Sequence, residues 1–190
     1  MMFTSPKKRP IIVSMSNMSD MPYLNILLIG FMGTGKSAVA DYLSKELGLP
    51  IIDVDQVISE QESKSIADIF ATDGEAYFRE LESGILSQLA TEQNKIIPCG
   101  GGIVMTPGNI GKLKKIGCVV LLTANPRTVF ERVSKSEERP LLKGRMNIEF
   151  ITELLEQRQE YYVEAADIIV STDDKSIAEV GDELLERMRR

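Results

Sequence analysis

Residues Gly30 to Ser37 read GFMGTGKS and satisfy the spacing G-x-x-x-x-G-K-[ST]. Glycines in such a loop let backbone N–H groups curl into a nest around phosphate oxygens. The helix that follows adds its positive N-terminal end. Lys36 can reach the outer phosphates, and the Ser37 hydroxyl can ligand Mg²⁺. The apolar run YLNILLI before the loop and the helical pattern after it supply the strand–loop–helix setting this chemistry needs. The loop therefore predicts nucleotide phosphate binding. Other residues must decide whether the phosphate passes to water, a nucleotide, a protein or a small alcohol.

Two phosphate-handling classes are excluded. Guanine-reading switch proteins need an N-K-x-D stretch, which this chain lacks. Motor ATPases place an aspartate after a later apolar strand, but here VVLLTAN runs into threonine. Carboxylates stand instead in IIDVDQ, at Asp53 and Asp55. In an extended chain residues two apart point the same way, so both can face one crevice. One can orient metal-bound water while the other accepts a hydrogen bond from an attacking hydroxyl. The same aspartates also suit the N-cap of the helix beginning QVISEQ.

Four arginines can meet anions. Arg79 sits between Glu75 and Glu82 at helical spacing, which equally fits a surface ion-pair ladder. Arg158 lies in EQRQEYY, and Arg132 and Arg139 flank the charged stretch SKSEERPLLKGR, whose composition suits a lid over phosphates. Gly100 to Gly102 permit close approach of backbone to a ligand. The chain has no histidine, which excludes a histidine base or a His-ligated metal.

Apolar runs alternating with helical patterns must position these groups. Strands are predicted at YLNILLIG, LPIIDVD, KIIPC, GCVVLLT and DIIVST. Helices are predicted at KSAVADYLSKELG, GNIGKLKKI, NPRTVFERV, NIEFITELLEQRQEYYVEAA and KSIAEVGDELLERM. The stretch Gln56–Thr91 is mostly helical, with breaks near Ser63–Ser65 and at Asp73-Gly74. This alternation implies an α/β fold in three layers, with a central parallel sheet of five strands wrapped on both faces.

In 190 residues, 28 acidic side chains face 22 basic ones, a net charge of −6. That balance argues against nucleic acid or an anionic membrane as partner. Cys99 and Cys118 lack metal-like spacing and read as reduced thiols of a cytoplasmic protein. Residues 1–22, which carry KKRP and several methionines, read as a flexible arm, with Met15, Met18 or Met21 as candidate starts. Residues 23–190 read as one domain, and a monomer is expected.

Taken in order, GFMGTGKS, DVD, SIADIFATDGEAYFRELE, GGG, RPLL and the arginine of EQRQEYY resemble the shikimate kinase family over residues 23–188. The resemblance implies a P-loop kinase sheet of strand order 2-3-1-4-5, with a lid at about 135–146. It implies transfer of the γ-phosphoryl group of ATP to the 3-hydroxyl of shikimate, with one Mg²⁺. Gly33, Thr34, Gly35, Lys36, Ser37 and Ala38 would hold the ATP phosphates, with Arg132 near the adenine and Arg139 closing from the lid. Ser37 would ligand the metal and Asp53 would hold it through water. Asp55 would bind the reacting hydroxyl, with Lys36 and Arg139 as the other catalytic groups. Arg79 and Arg158 would grip the substrate carboxylate, and Gly101 would contact the substrate through its backbone.

Overall fold

The computed structural model describes residues 25–134 and 147–189. The expected arm, the expected lid and Arg139 lie outside the described residues. Among the described residues four parallel strands form the sheet: β1 (Asn25–Ile29), β2 (Ile96–Pro98), β3 (Gly117–Thr123) and β4 (Ile168–Ser171), in the order β2-β1-β3-β4. Every residue of β1 is buried, as expected for a central strand covered on both faces.

Side chains alternate across the sheet with period two. Ile26, Leu28, Val120 and Leu122 point to one face, where α1 (Lys36–Leu47) and α8 (Ile177–Met188) cover them through Val39, Leu43, Val180 and Leu184. Leu27, Ile29, Val119 and Leu121 point to the other. There they pack with Ile85 and Leu86 of α4 (Gly74–Leu89), Leu113 of α5 (Asn109–Ile116) and Tyr162 of α7 (Ile148–Ala165). α2 (Val54–Glu62) and α3 (Ile66–Thr72) extend this second layer, and α6 (Pro126–Val133) packs on α7. Helix breaks fall where the sequence puts them. Ser63 closes α2 with φ 52°, Ser65 caps α3, and Asp73 separates α3 from α4. Among the described residues no helix is long and apolar enough to cross a membrane.

One expectation needs correction. LPIIDVD is predicted as a full strand, but it makes a single parallel bridge between Ile51 and Ile96. The Ile52 N–H donates to the Ile96 carbonyl at 2.9 Å, and the Ile96 N–H donates to the Pro50 carbonyl at 3.0 Å. Pro50 has no N–H to donate. Asp53 already caps α2, which starts at Val54, so the extended segment ends after two residues. The bridge still lies beyond β2, at the edge where the predicted second strand belongs in the order 2-3-1-4-5.

Asn25, fully buried at the start of β1, ties this frame together. Its Nδ2 donates to the carbonyls of Glu92 (2.7 Å) and Ile116 (3.1 Å), and its Oδ1 accepts from the Lys95 N–H at 3.0 Å. An Asn25→Leu variant keeps the branching at Cγ but removes all three bonds and leaves the buried Ile116 carbonyl without this partner. It should lose on the order of 2–3 kcal/mol in urea unfolding, since buried unsatisfied groups each cost about 1–3 kcal/mol.

Candidate active site

The carboxyl ends of β1 and β2 open into a cavity of about 930 Å³. Its first wall is the loop between β1 and α1. Gly35, with φ 89°, is the N-cap of α1 and brings no side chain to the first-turn N–H groups. By contrast, α2, α3, α6, α7 and α8 each carry a side-chain cap. The starts of α4 and α5 also lack one, but the first turn of α1 lines the cavity, where it suits an anion. Lys36 Nζ donates to the carbonyls of Gly30 (2.9 Å) and Phe31 (3.0 Å) and lies across the loop. The Thr34 side chain, which is buried, donates to the Phe31 carbonyl at 2.8 Å and stiffens the turn. Gly33, Gly35, Lys36, Ser37 and Ala38 line the cavity, whereas Thr34 faces inward beneath it.

Asp53 and Asp55 line the same cavity, although not as neighbours on a strand. They straddle the start of α2. Asp53 Oδ1 accepts from the N–H groups of Asp55 (2.9 Å) and Gln56 (3.3 Å). The capping and site readings of Asp53 are therefore compatible, because the cap uses one carboxylate oxygen and the other lies outside those bonds.

The second wall is the turn Gly100–Gly102 after β2. A Cβ on Gly100 would lie 2.5 Å from Glu82 Oε1 and 3.0 Å from Asp55 Oδ1. One on Gly102 would lie 2.4 Å from Arg79 Nη2. A side chain at either position would have to displace these charged groups.

Arg79 and Arg158 both reach the cavity, from α4 and α7. The guanidinium of Arg79 lies 5.4 Å from the Phe78 ring centroid, and that of Arg158 lies 5.4 Å from the Phe31 centroid. Arg79 Nη1 donates to Glu82 Oε2 at 2.6 Å. Its Nε and Nη2 donate to Glu75 Oε1 at 3.2 and 2.8 Å. Burial disfavours the Arg79 charge, yet Glu82 and Glu75 outweigh it and hold its pKa above the ordinary value. Arg158 Nη1 donates to the Gly101 carbonyl at 3.3 Å, and the Tyr162 hydroxyl donates to the same oxygen. Arg132 spans from the phosphate loop to the segment after β4, donating to Gly33 O (3.2 Å), Thr172 Oγ1 (2.9 Å) and Thr172 O (2.8 Å). It lines the main cavity and also a neighbouring recess of about 500 Å³.

Sequence spacing shows Glu82 only as a rung in an ion-pair ladder. The structure makes it a fully buried carboxylate on the cavity, with no hydrogen-bond partner for Oε1 among the described residues. Phe31, Phe78 and Tyr162 are likewise invisible as site residues in the sequence, where they read as apolar positions of a loop and two helices.

Burial, opposed in part by Arg79, pushes the Glu82 carboxyl up to about 7. Between its ordinary value near 4.5 and about 7, the folded protein holds a proton that the unfolded chain has released. This group's contribution to stability therefore falls as pH rises through that window. A Glu82→Gln variant, isosteric and uncharged, should lack that part of the fall. The stability difference between variant and wild type should move in the variant's favour from pH 5 to pH 8, measured by chemical unfolding at each pH. A pH-independent difference would contradict the assignment.

A strand–loop–helix phosphate nest on a parallel α/β sheet, with carboxylates and arginines converging beside it, defines the class of P-loop phosphotransferases. The sequence matches the family described as shikimate kinase over residues 32–189. It is 42% identical over 165 residues to a shikimate kinase of Persephonella marina, covering 87% of this chain and 99% of that one. It is 41% identical over 166 residues to one from Dehalococcoides mccartyi, covering 87% of this chain and 94% of the other. A solved structure described as shikimate kinase from Acinetobacter baumannii in complex with shikimate superposes with TM-score 0.84 at 28% identity, covering 90% and 95% of the two chains. The chain belongs to the shikimate kinase family. It is an ATP-dependent kinase acting on a hydroxyl group.

Proposed function

We propose that the protein transfers the γ-phosphoryl group of ATP to the 3-hydroxyl of shikimate, giving shikimate 3-phosphate and ADP, with the cavity residues in the following roles. The observation that carries the reading is the convergence of Arg79 and Arg158, from two helices, on the cavity that also holds the phosphate loop. The family membership supports the same substrate.

ATP phosphates lie in the backbone nest of Gly33–Ala38, with Thr34 bracing the turn from beneath and Lys36 swinging from its own loop carbonyls to the outer phosphates. Arg132, pinned by Gly33 and Thr172, borders the nucleotide. The shikimate carboxylate takes the planar forks of Arg79 and Arg158, which suit bidentate pairing. It competes with Glu75, which is largely exposed, for the Nε and Nη2 edge of Arg79. Backbone of Gly101 contacts the ring.

Asp55 accepts a hydrogen bond from the 3-hydroxyl and takes its proton as the oxygen bonds to the γ-phosphorus. The bond from that phosphorus to the bridging oxygen breaks, and the electron pair leaves with ADP. Arg139, outside the described residues, closes over the phosphates in this reading. Ser37 and Asp53 line one cavity, and Asp53 Oδ2 lies outside the cap, so the pair fits Mg²⁺, Asp53 acting through water. Among the described residues no cluster of three or more His, Cys, Asp or Glu forms a protein cage for metal. Phosphate oxygens and water complete such a shell, as Mg²⁺ prefers. When bound, the ion neutralises phosphate charge.

The protein acts as a single-domain cytoplasmic monomer in chorismate and aromatic amino acid biosynthesis, without nucleic acid or membrane partners. Coupled ADP release should appear with shikimate and be absent with gluconate or no acceptor. Asp55→Asn should lower kcat about 100-fold or more with a small change in shikimate KM, in the range of about 10²–10⁴ for a positioned proton acceptor. Turnover with gluconate alone, or an unchanged kcat in the variant, would contradict the reading.

A further inference from the structure

We infer that Tyr162 is a positioning residue for substrate binding: its hydroxyl holds the Gly101 carbonyl and so leaves the Arg158 guanidinium available to the substrate carboxylate. This rests on the proposed role of Arg158.

Tyr162 stands one turn after Arg158 on α7, so both side chains emerge on the same side of the helix. Its ring is only 4% exposed and packs in the core with Cys99 and Ile103, the residues that bracket the glycine turn. Its position is thus fixed by packing, not by a ligand. It lies behind the cavity wall and does not line the cavity. Burial pushes its hydroxyl up to about 12, so it stays a donor through neutral pH.

The Gly101 carbonyl has two lone pairs and receives two donors, Tyr162 and Arg158. They differ in kind. The phenol has one proton, which it gives to this oxygen, and its own oxygen lies within hydrogen-bonding reach of the Arg158 side chain. The Arg158 bond is 3.3 Å, beyond the usual N–H···O range, and the guanidinium has five N–H groups that a carboxylate can use. While Tyr162 satisfies the oxygen, Arg158 can turn toward an anion without leaving a part-buried carbonyl bare. Remove the hydroxyl and Arg158 becomes the donor that oxygen depends on. Each substrate carboxylate must then draw the guanidinium away from it.

Tyr162→Phe removes one oxygen and keeps the packed ring. It should raise the shikimate KM about fivefold, in keeping with a lost hydrogen bond to a part-buried group. ATP KM and kcat should stay within about twofold, because the phosphate loop and Asp55 do not touch this hydroxyl. Calorimetric shikimate affinity should fall by the same factor. In an Arg158→Ala background the change should add less than about twofold, since the effect runs through Arg158. Tyr161→Phe, on the exposed side of the same helix, should leave all constants unchanged.

Equal losses in both KM values and kcat would mark a merely structural tyrosine and overturn the inference. So would an unchanged shikimate KM, or full additivity with Arg158→Ala. If Arg158→Ala itself leaves shikimate affinity intact, the carboxylate clamp falls and the inference falls with it. If Arg158→Ala weakens binding and Tyr162→Phe does not, the clamp stands and only the positioning role is lost.

Discussion

Three consecutive residues without side chains allow charged groups from separate elements to meet. Gly100 lies against Glu82 of α4 and Asp55 of α2, Gly102 lies against the Arg79 guanidinium, and the Gly101 carbonyl receives Arg158 and Tyr162 from α7. The same turn runs alongside the phosphate loop, where a Cβ on Gly101 would lie 3.4 Å from the Gly30 carbonyl. A methyl group on Gly100 or Gly102 would lie within 3.0 Å of these charged atoms, closer than packed atoms tolerate. The spacing of carboxylates, guanidinium groups and phosphate nest therefore depends on this short backbone wall following β2.

In the proposed reading the wall lets a protein of net charge −6 receive two anions. Overall charge does not govern the site; local geometry does. Arg79 lies near the Phe78 ring and Arg158 near the Phe31 ring, which favours a cation without using its N–H donors. The Glu75 and Glu82 carboxylates keep Arg79 charged against the cost of its burial. At the other end, α1 offers an N-terminus with no side-chain cap, whereas five of the eight α-helices among the described residues carry one. In the proposed reading the nucleotide end is left open by the missing cap, whereas at the substrate end the carboxylate displaces Glu75 from one edge of Arg79.

The phosphate loop was legible in the sequence because its chemistry is local, a glycine spacing between an apolar run and a helix. The helix breaks at Ser63–Ser65 and Asp73 were legible for the same reason. Strands β1 and β3 announced themselves as apolar runs. What the sequence misjudged was decided by competition. LPIIDVD has the composition of a strand, but Asp53 gains two backbone N–H groups as a cap, and the helix takes the rest. What the sequence hid was decided at long range. Glu82 at i+3 from Arg79 looks like any surface rung until Gly100 closes over it, eighteen positions further along. Tyr162 joins Gly101 across sixty-one positions, a contact no local pattern encodes.

Within the wall, Gly102 meets only Arg79, so in the proposed reading it sets the substrate arginine and not the nucleotide site. A Gly102→Ala variant tests this most directly, because the added methyl meets the flexible end of Arg79 and the fold has room to survive. Steady-state kinetics with both substrates should show the shikimate KM raised about tenfold, the scale of a displaced charged hydrogen bond, with ATP KM within about twofold. An unchanged shikimate KM, or an equal rise for ATP, would contradict the account.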